Sequence, residues 1–243
     1  FEGRPRRLDR GGEVSYRIWS READLDLPTA AAQRTLTLEG EREALVSVRP
    51  GATSAVEEGF DRDSHLAATS LLDASDPAVI AFTRRHDRVT RTDGERINLL
   101  RAAVHRHITR KDLATGFATA SETVRRRRGD CTEHAVLLAA ALRSAGIPSR
   151  LVNGLVWIPR AGERAGIFLW HMWVQAVVDD EWIDLDPSLA GGRAFHPGHL
   201  AVSFSSGDAG DLETGGRAML DLFGSIEVEV LAPDSDRRGG ADE

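Results

Sequence analysis

A chain of 243 residues with 41% hydrophobic content suits one sizeable domain with an appendage, or two small domains, and can build a core without disulfides. A formal net charge of -7 gives no overall basic field to hold a nucleic acid or an anionic membrane, although arginines are many and Lys111 is the only lysine. Apolar runs such as 136–142 are too short to span a bilayer, and no charged-then-apolar leader opens the chain. A soluble protein without membrane insertion is expected. It opens on Phe1 rather than Met, so a removed upstream portion, and with it a cytoplasmic or a cell-envelope location, stays open, as does the oligomeric state.

Between 13 and 49 the apolar residues alternate in short runs: Val14, Tyr16 and Ile18, then Leu36 and Leu38, then Leu45 and Val48. Gly40 and Pro50-Gly51 punctuate them, which predicts two to four antiparallel strands. Residues 51–74 are mixed and polar and read as a connection. Asp76 before Pro77 opens a helix to about residue 86. The stripe Ile97, Leu100, Val104 and Ile108 predicts a second helix over 93–108, and a short third one fits 121–127. Asp130 is a good N-cap for a helix over 131–145, ended by Gly146 and Pro148. From Val136 to Leu142 that helix is apolar on nearly every side, so it should be buried and central.

Strands follow over 149–158, 167–178, 182–186, about 199–204, and 226–231. The polar tail 233–243 reads as disordered. No internal repeat is present. Helices first and a run of strands afterwards argue for an α+β domain whose antiparallel sheet packs on the helix opening at Cys131. The expected division is an N-terminal β-rich segment over 1–55, a catalytic domain over 56–232, and the tail.

Cys131 is the only cysteine, and it stands in Gly129-Asp130-Cys131-Thr132-Glu133-His134, where a loop gives way to the apolar helix. One thiol cannot form an intrachain disulfide, so it serves packing or chemistry. Forty residues on lies Trp170-His171-Met172-Trp173-Val174, and fifteen further Asp184-Leu185-Asp186-Pro187-Ser188. Cys131, His171 and Asp186 thus follow the order of a thiol nucleophile, its base and the base's orienter. At a helix N-terminus, unpaired N–H groups and the positive end of the dipole favour thiolate over thiol, and the same N–H groups point where an oxyanion would form. Asp130, a nearby negative charge, opposes this somewhat.

Strand register relates the other two residues. If Asp179-Asp180 is a two-residue hairpin loop, Val178 pairs with Glu181, Trp173 faces Asp186 and His171 faces Ser188. His171 and Asp186 are then diagonal neighbours on one face, about 7 Å apart at the backbone. Asp184 shares that face two residues further away, so its loss should matter less. A three-residue loop would put His171 and Asp186 on opposite faces.

The stretches Arg128-Gly129-Asp130-Cys131-Thr132-Glu133-His134-Ala135, Gly146-Ile147-Pro148-Ser149-Arg150-Leu151-Val152-Asn153-Gly154, His171-Met172-Trp173-Val174 and Trp182-Ile183-Asp184-Leu185-Asp186-Pro187-Ser188 together resemble the transglutaminase-like superfamily over about 76–231. The resemblance implies a papain-like α+β core, with Cys131 as nucleophile, His171 as general base and then acid, and Asp186 as orienter. It implies a peptide or protein substrate and neither metal nor cofactor. Compact bacterial members lack the calcium sites and extra β domains of the animal cross-linkers, so hydrolysis as a protease or amidase comes first. Transfer to an amine and a silent binding module on the same fold are the alternatives. Members often add an upstream aromatic or amide oxyanion donor; here the only Trp and Gln before Cys131 are Trp19 and Gln33, both in the appendage, and the donor is unassigned.

Bland readings stand beside these. A lone helical cysteine is most often an inert core residue. Cys131 and His134 could be half of a zinc site with His171 and Asp186, although structural zinc sites usually carry more sulfur. His196 and His199 have a ligand-like spacing but read first as a polar loop, and the arginines of 125–128, which could attract an acidic substrate, read first as a solvated helix end. Trp157, Trp170, Trp173 and Trp182 read as strand packing, with one or two walling a groove. Glu133 either tunes the site through a hydrogen bond or is salt-bridged or exposed.

Overall fold

The computed structural model describes residues 8, 12–38, 42–87, 91–111, 118–159, 166–189, 195–208, 210–211, 221–222 and 224–231. Gly40 and the tail 233–243 lie outside the described residues. In chain order the elements are β1 Val14–Ser20, β2 Gln33–Thr37, β3 Glu43–Val48, β4 Ser54–Ala55, α1 Pro77–His86, α2 Asp93–His107, α3 Ala120–Arg126, α4 Cys131–Ser144, β5 Ser149–Ile158, β6 Ile167–Val178, β7 Glu181–Leu185, β8 His199–Ser205 and β9 Ile226–Val230.

The helices begin where the sequence supplies caps. Asp76 accepts from the Ala78 N–H at 2.7 Å ahead of α1. Reciprocal capping boxes, Thr92 with Glu95, Thr119 with Glu122 and Asp130 with Glu133, open α2, α3 and α4. Each satisfies N–H groups that the first helical turn cannot. Beyond α4, Gly146 takes φ +78°, the left-handed conformation a glycine adopts without strain.

Two antiparallel sheets result. The larger has the order β4-β7-β6-β5-β8, and the smaller β2-β3-β1-β9. Helix α4 is buried from Glu133 to Arg143. It packs Val136, Leu137, Leu138 and Leu142 among Val79 and Phe82 of α1, Ile97, Leu100 and Val104 of α2, and Leu151, Met172, Val174 and Ala176 of the sheet. This is the α+β architecture that the order of elements implied. The last strand of the expected run lies elsewhere: β9 pairs with β1, Ser20 opposite Ile226 and Tyr16 opposite Val230. Tyr16 and Ile18 of that sheet in turn cluster with Leu155, Trp157, Leu200 and Val202 of β5 and β8.

The β6–β7 hairpin turns on two residues. Asp179 and Asp180 have φ of 52° and 60°, a pair of left-handed residues that matches the strand twist and that aspartate tolerates better than most residues. Val178 pairs with Glu181 and Val174 with Leu185, as the two-residue loop requires.

Candidate active site

The loop entering α4 is built around Glu133. Its carboxylate is fully buried and accepts from the Asp130 N–H at 2.9 Å and the Ala118 N–H at 3.2 Å. Burial pushes its pKa up, while these backbone N–H groups oppose the rise. Gly129, at φ +154°, passes so close that a Cβ there would lie 2.4 Å from Glu133 Cβ. Of the two readings open for Glu133, the structure gives the hydrogen-bonded one.

Capping uses up most of the first N–H groups of α4. Asp130 accepts from Thr132 and Glu133, and the Asp130 carbonyl from the His134 N–H. The Cys131 N–H has no acceptor among the described residues and stays free for an incoming oxygen.

His171 lies on β6 with its side chain 7% exposed, and its Nε2 is 2.7 Å from Oδ2 of Asp186. Cys131 acts on His171 as well, its charge and hydrogen bonding raising the imidazole pKa. Asp186 follows β7 directly and is fully buried. Its Oδ1 accepts the N–H and the hydroxyl of Ser188, both at 2.7 Å. Burial works to raise the Asp186 carboxyl, but the charge and hydrogen bond of His171 and the hydrogen bond of His199 hold it well below the usual carboxylate range. For His171, burial works downward, and the charge and hydrogen bond of Asp186, followed by Cys131, push it up to about 10.

These shifts fix a pH window for stability. A raised His171 contributes fully below its unfolded value of about 6.5 and loses that contribution as pH rises through about 10. A depressed Asp186 contributes above its unfolded value of about 3.9 and loses it only as pH falls toward its much lower folded value. Urea midpoints measured across pH should therefore hold between about pH 4 and 6.5 and decline toward pH 10, and His171→Gln should flatten the alkaline decline. An alkaline limb equally steep in that variant would assign the loss to other groups.

Asp184 has a different task. Its Oδ1 accepts from Trp173 Nε1 and Gln175 Nε2, both at 2.9 Å, and its Oδ2 from the Ala32 N–H at 3.1 Å. It ties the N-terminal segment to the larger sheet. Its smaller part beside His171 is joined by this buried, threefold structural engagement.

His134 donates from Nδ1 to the Asp130 carbonyl at 2.5 Å. Burial lowers its pKa to about 4, so it is neutral. It stands apart from the group whose ligand atoms converge within 4.8 Å, which is His171, Asp186 and His199. The Cys131–His134 zinc grouping is thus not what the chain assembles, and hydrogen bonds account for the convergence seen.

His199 is the residue that the sequence reading missed. It is buried at the start of β8, with Nε2 3.1 Å from Asp186 Oδ2. Its neighbour His196 is buried too, so the polar-loop reading of the pair is corrected.

Gln33 spends its amide on the backbone of β8, exchanging hydrogen bonds with Ala201 at 3.0 and 2.8 Å. Trp19 instead lines a cavity of about 720 Å³ with Leu155, Phe168, Trp170, Ile226 and Val228. Neither acts as an oxyanion donor, and the cavity reaches Trp170, next to His171. Of the tryptophans, Trp157, Trp173 and Trp182 are buried packing residues, while Trp170 walls this groove. Arg125 and Arg126 pair with Asp76 and Glu122 at the surface, as a solvated helix end would.

Residues 80–187 match the model of the transglutaminase-like superfamily, a stretch that contains Cys131, His171 and Asp186. Among solved structures, a candidate cysteine protease from Cytophaga hutchinsonii superposes with a TM-score of 0.56 at 12% identity, over 92% of this chain and 90% of that one. That likeness concerns the fold. The periplasmic domain of TgpA from Pseudomonas aeruginosa, bound to ethylmercury, aligns at 18% identity over 77% of this chain and 94% of that one, with a TM-score of 0.43. No curated protein matches the chain. Over residues 80–187, therefore, the chain is similar to the transglutaminase-like superfamily.

Proposed function

We propose that the chain is a cysteine-dependent acyl-transfer enzyme acting on peptide or protein amides, with Cys131 as nucleophile, His171 as acid and base, and Asp186 as orienter. One observation carries this reading: a buried imidazole joined to a fully buried carboxylate on one side and acted on by the only thiol on the other. The raised His171 presents a cation to Cys131 at neutral pH, which supports a thiolate–imidazolium pair.

The thiolate sulfur attacks the amide carbonyl carbon, and the carbonyl electrons move to oxygen, which the Cys131 N–H receives. His171 gives its proton to the departing nitrogen as the C–N bond breaks, leaving a thioester. His171, now neutral, takes a proton from the attacking water or amine, and the thiolate leaves. Hydrolysis comes first, with water as acceptor. Transfer to a primary amine is the second reading.

The test is incubation with a glutamine-rich protein, with and without a primary amine, followed by mass spectrometry for ammonia release, chain cleavage and amine incorporation. No Cys131-dependent product of any kind would leave the silent binding module. Activity should survive dialysis against EDTA; loss restored by zinc would overturn the nucleophilic assignment.

Alkylation checks the ion pair independently of substrate. Iodoacetamide should label Cys131 well below the pH at which a free cysteine reacts, and His171→Ala should move labelling to higher pH. Superimposable profiles for the two proteins would exclude the pair.

A further inference from the structure

Asp186 serves two imidazoles, and only one of them lies within the matched stretch 80–187. His199 reaches the same Oδ2 that His171 reaches, at 3.1 Å against 2.7 Å, while Ser188 fills Oδ1 twice. An ionised carboxylate has about four acceptor sites. His171 therefore meets a partner whose remaining sites are all taken, and which has no room to turn.

His199 is itself fixed. Its Nδ1 lies 3.0 Å from the His196 carbonyl, its ring stacks on Phe195 with centroids 4.4 Å apart, and its edge meets Trp173 at 5.3 Å. The ring is fully buried. A histidine whose only task was to fill space would need neither nitrogen aimed at a charged group.

We propose that His199 is a positioning residue that locks the Asp186 carboxylate in the orientation from which it holds His171 against Cys131. This rests on the catalytic reading above. Burial disfavours the Asp186 anion, and the hydrogen bond and charge of His199 work against that penalty alongside His171. The other ionisable groups acting on this cluster are Cys131 and His134 of α4, Arg101 of α2 and Asp184 of β7. None of these four donates to the Asp186 carboxylate; Arg101 reaches only the Asp186 backbone carbonyl, at 3.5 Å.

The test compares His199→Phe, which keeps a flat ring beside Phe195 and Trp173, with His199→Gln, which restores a donor. His199→Phe should lower kcat by about 10- to 100-fold with little change in KM, the scale of loss when a reacting group is misplaced by about 1 Å. Its alkylation profile at Cys131 should move to higher pH, because a carboxylate less firmly held and less readily ionised supports the His171 cation less well. His199→Gln should recover part of both. An unchanged kcat and alkylation profile in His199→Phe would overturn the proposal. So would equal losses in both variants that follow unfolding midpoints while the alkylation profile stays in place. If the native protein shows no Cys131-dependent turnover, the functional reading fails by itself, and the alkylation profiles still decide the role of His199.

Discussion

Cys131→Ala should lower turnover by about 10⁶-fold, the scale seen when a covalent nucleophile is removed from a preorganised site, while the protein remains folded. The side chain is only partly buried at the first position of α4, so the cavity left is small. The cap does not depend on the thiol, because Asp130 and Glu133 make the reciprocal bonds. Intact-mass spectrometry under single-turnover conditions should find a thioester adduct on the native protein and none on the variant. A variant that retains turnover, or an adduct on another residue, would remove Cys131 from the mechanism.

Asp186→Asn should reduce turnover by about 10⁴-fold, the loss seen when a triad carboxylate becomes an amide. The reason lies in which atoms are already committed. Ser188 presents two donors, its N–H and its hydroxyl, to Oδ1, so the amide oxygen of an asparagine is drawn there. The amide nitrogen then faces the Nε2 atoms of His171 and His199, where an acceptor stood. His171 must turn a bare Nε2 toward that nitrogen and carry its proton on Nδ1. That is the wrong tautomer to accept a proton on its Nδ1 side. Steady-state kinetics and the pH dependence of kcat/KM would measure this.

Asp184→Asn makes the contrasting case. It should leave the chemistry largely intact but cost about 1–3 kcal/mol of stability, since one of three buried N–H donors loses its acceptor. A large fall in kcat at unchanged stability in Asp184→Asn would reverse the assignment of the two carboxylates.

What could be read from the residues was local. Capping side chains and apolar stripes bounded the helices to within a residue or two, and a two-residue turn fixed the pairing of β6 and β7. From that pairing alone, His171 and Asp186 are diagonal neighbours. His199 and Asp184 depended on contacts no local rule reaches. Strand β8 joins β5 with a register shift between Asn153 and Gly154, and Gly154 is crossed so closely that a Cβ would lie 2.2 Å from the Leu200 carbonyl oxygen. Such a bulge changes which residue faces the site and leaves no periodic trace. The bond from Asp184 to Ala32 spans 152 positions, and its N-terminal partner is a backbone N–H, which every residue except proline carries.

The pairing of β9 with β1 bears on how the protein is made. Ser20 and Ser225 touch across 205 positions of chain, so the smaller sheet cannot be completed on the ribosome until nearly the whole described chain has emerged. The larger sheet and its helices draw on 54–205 and have their partners sooner. Until β9 arrives, β1 offers an unpaired edge to other nascent chains, which is where misassembly during synthesis would begin.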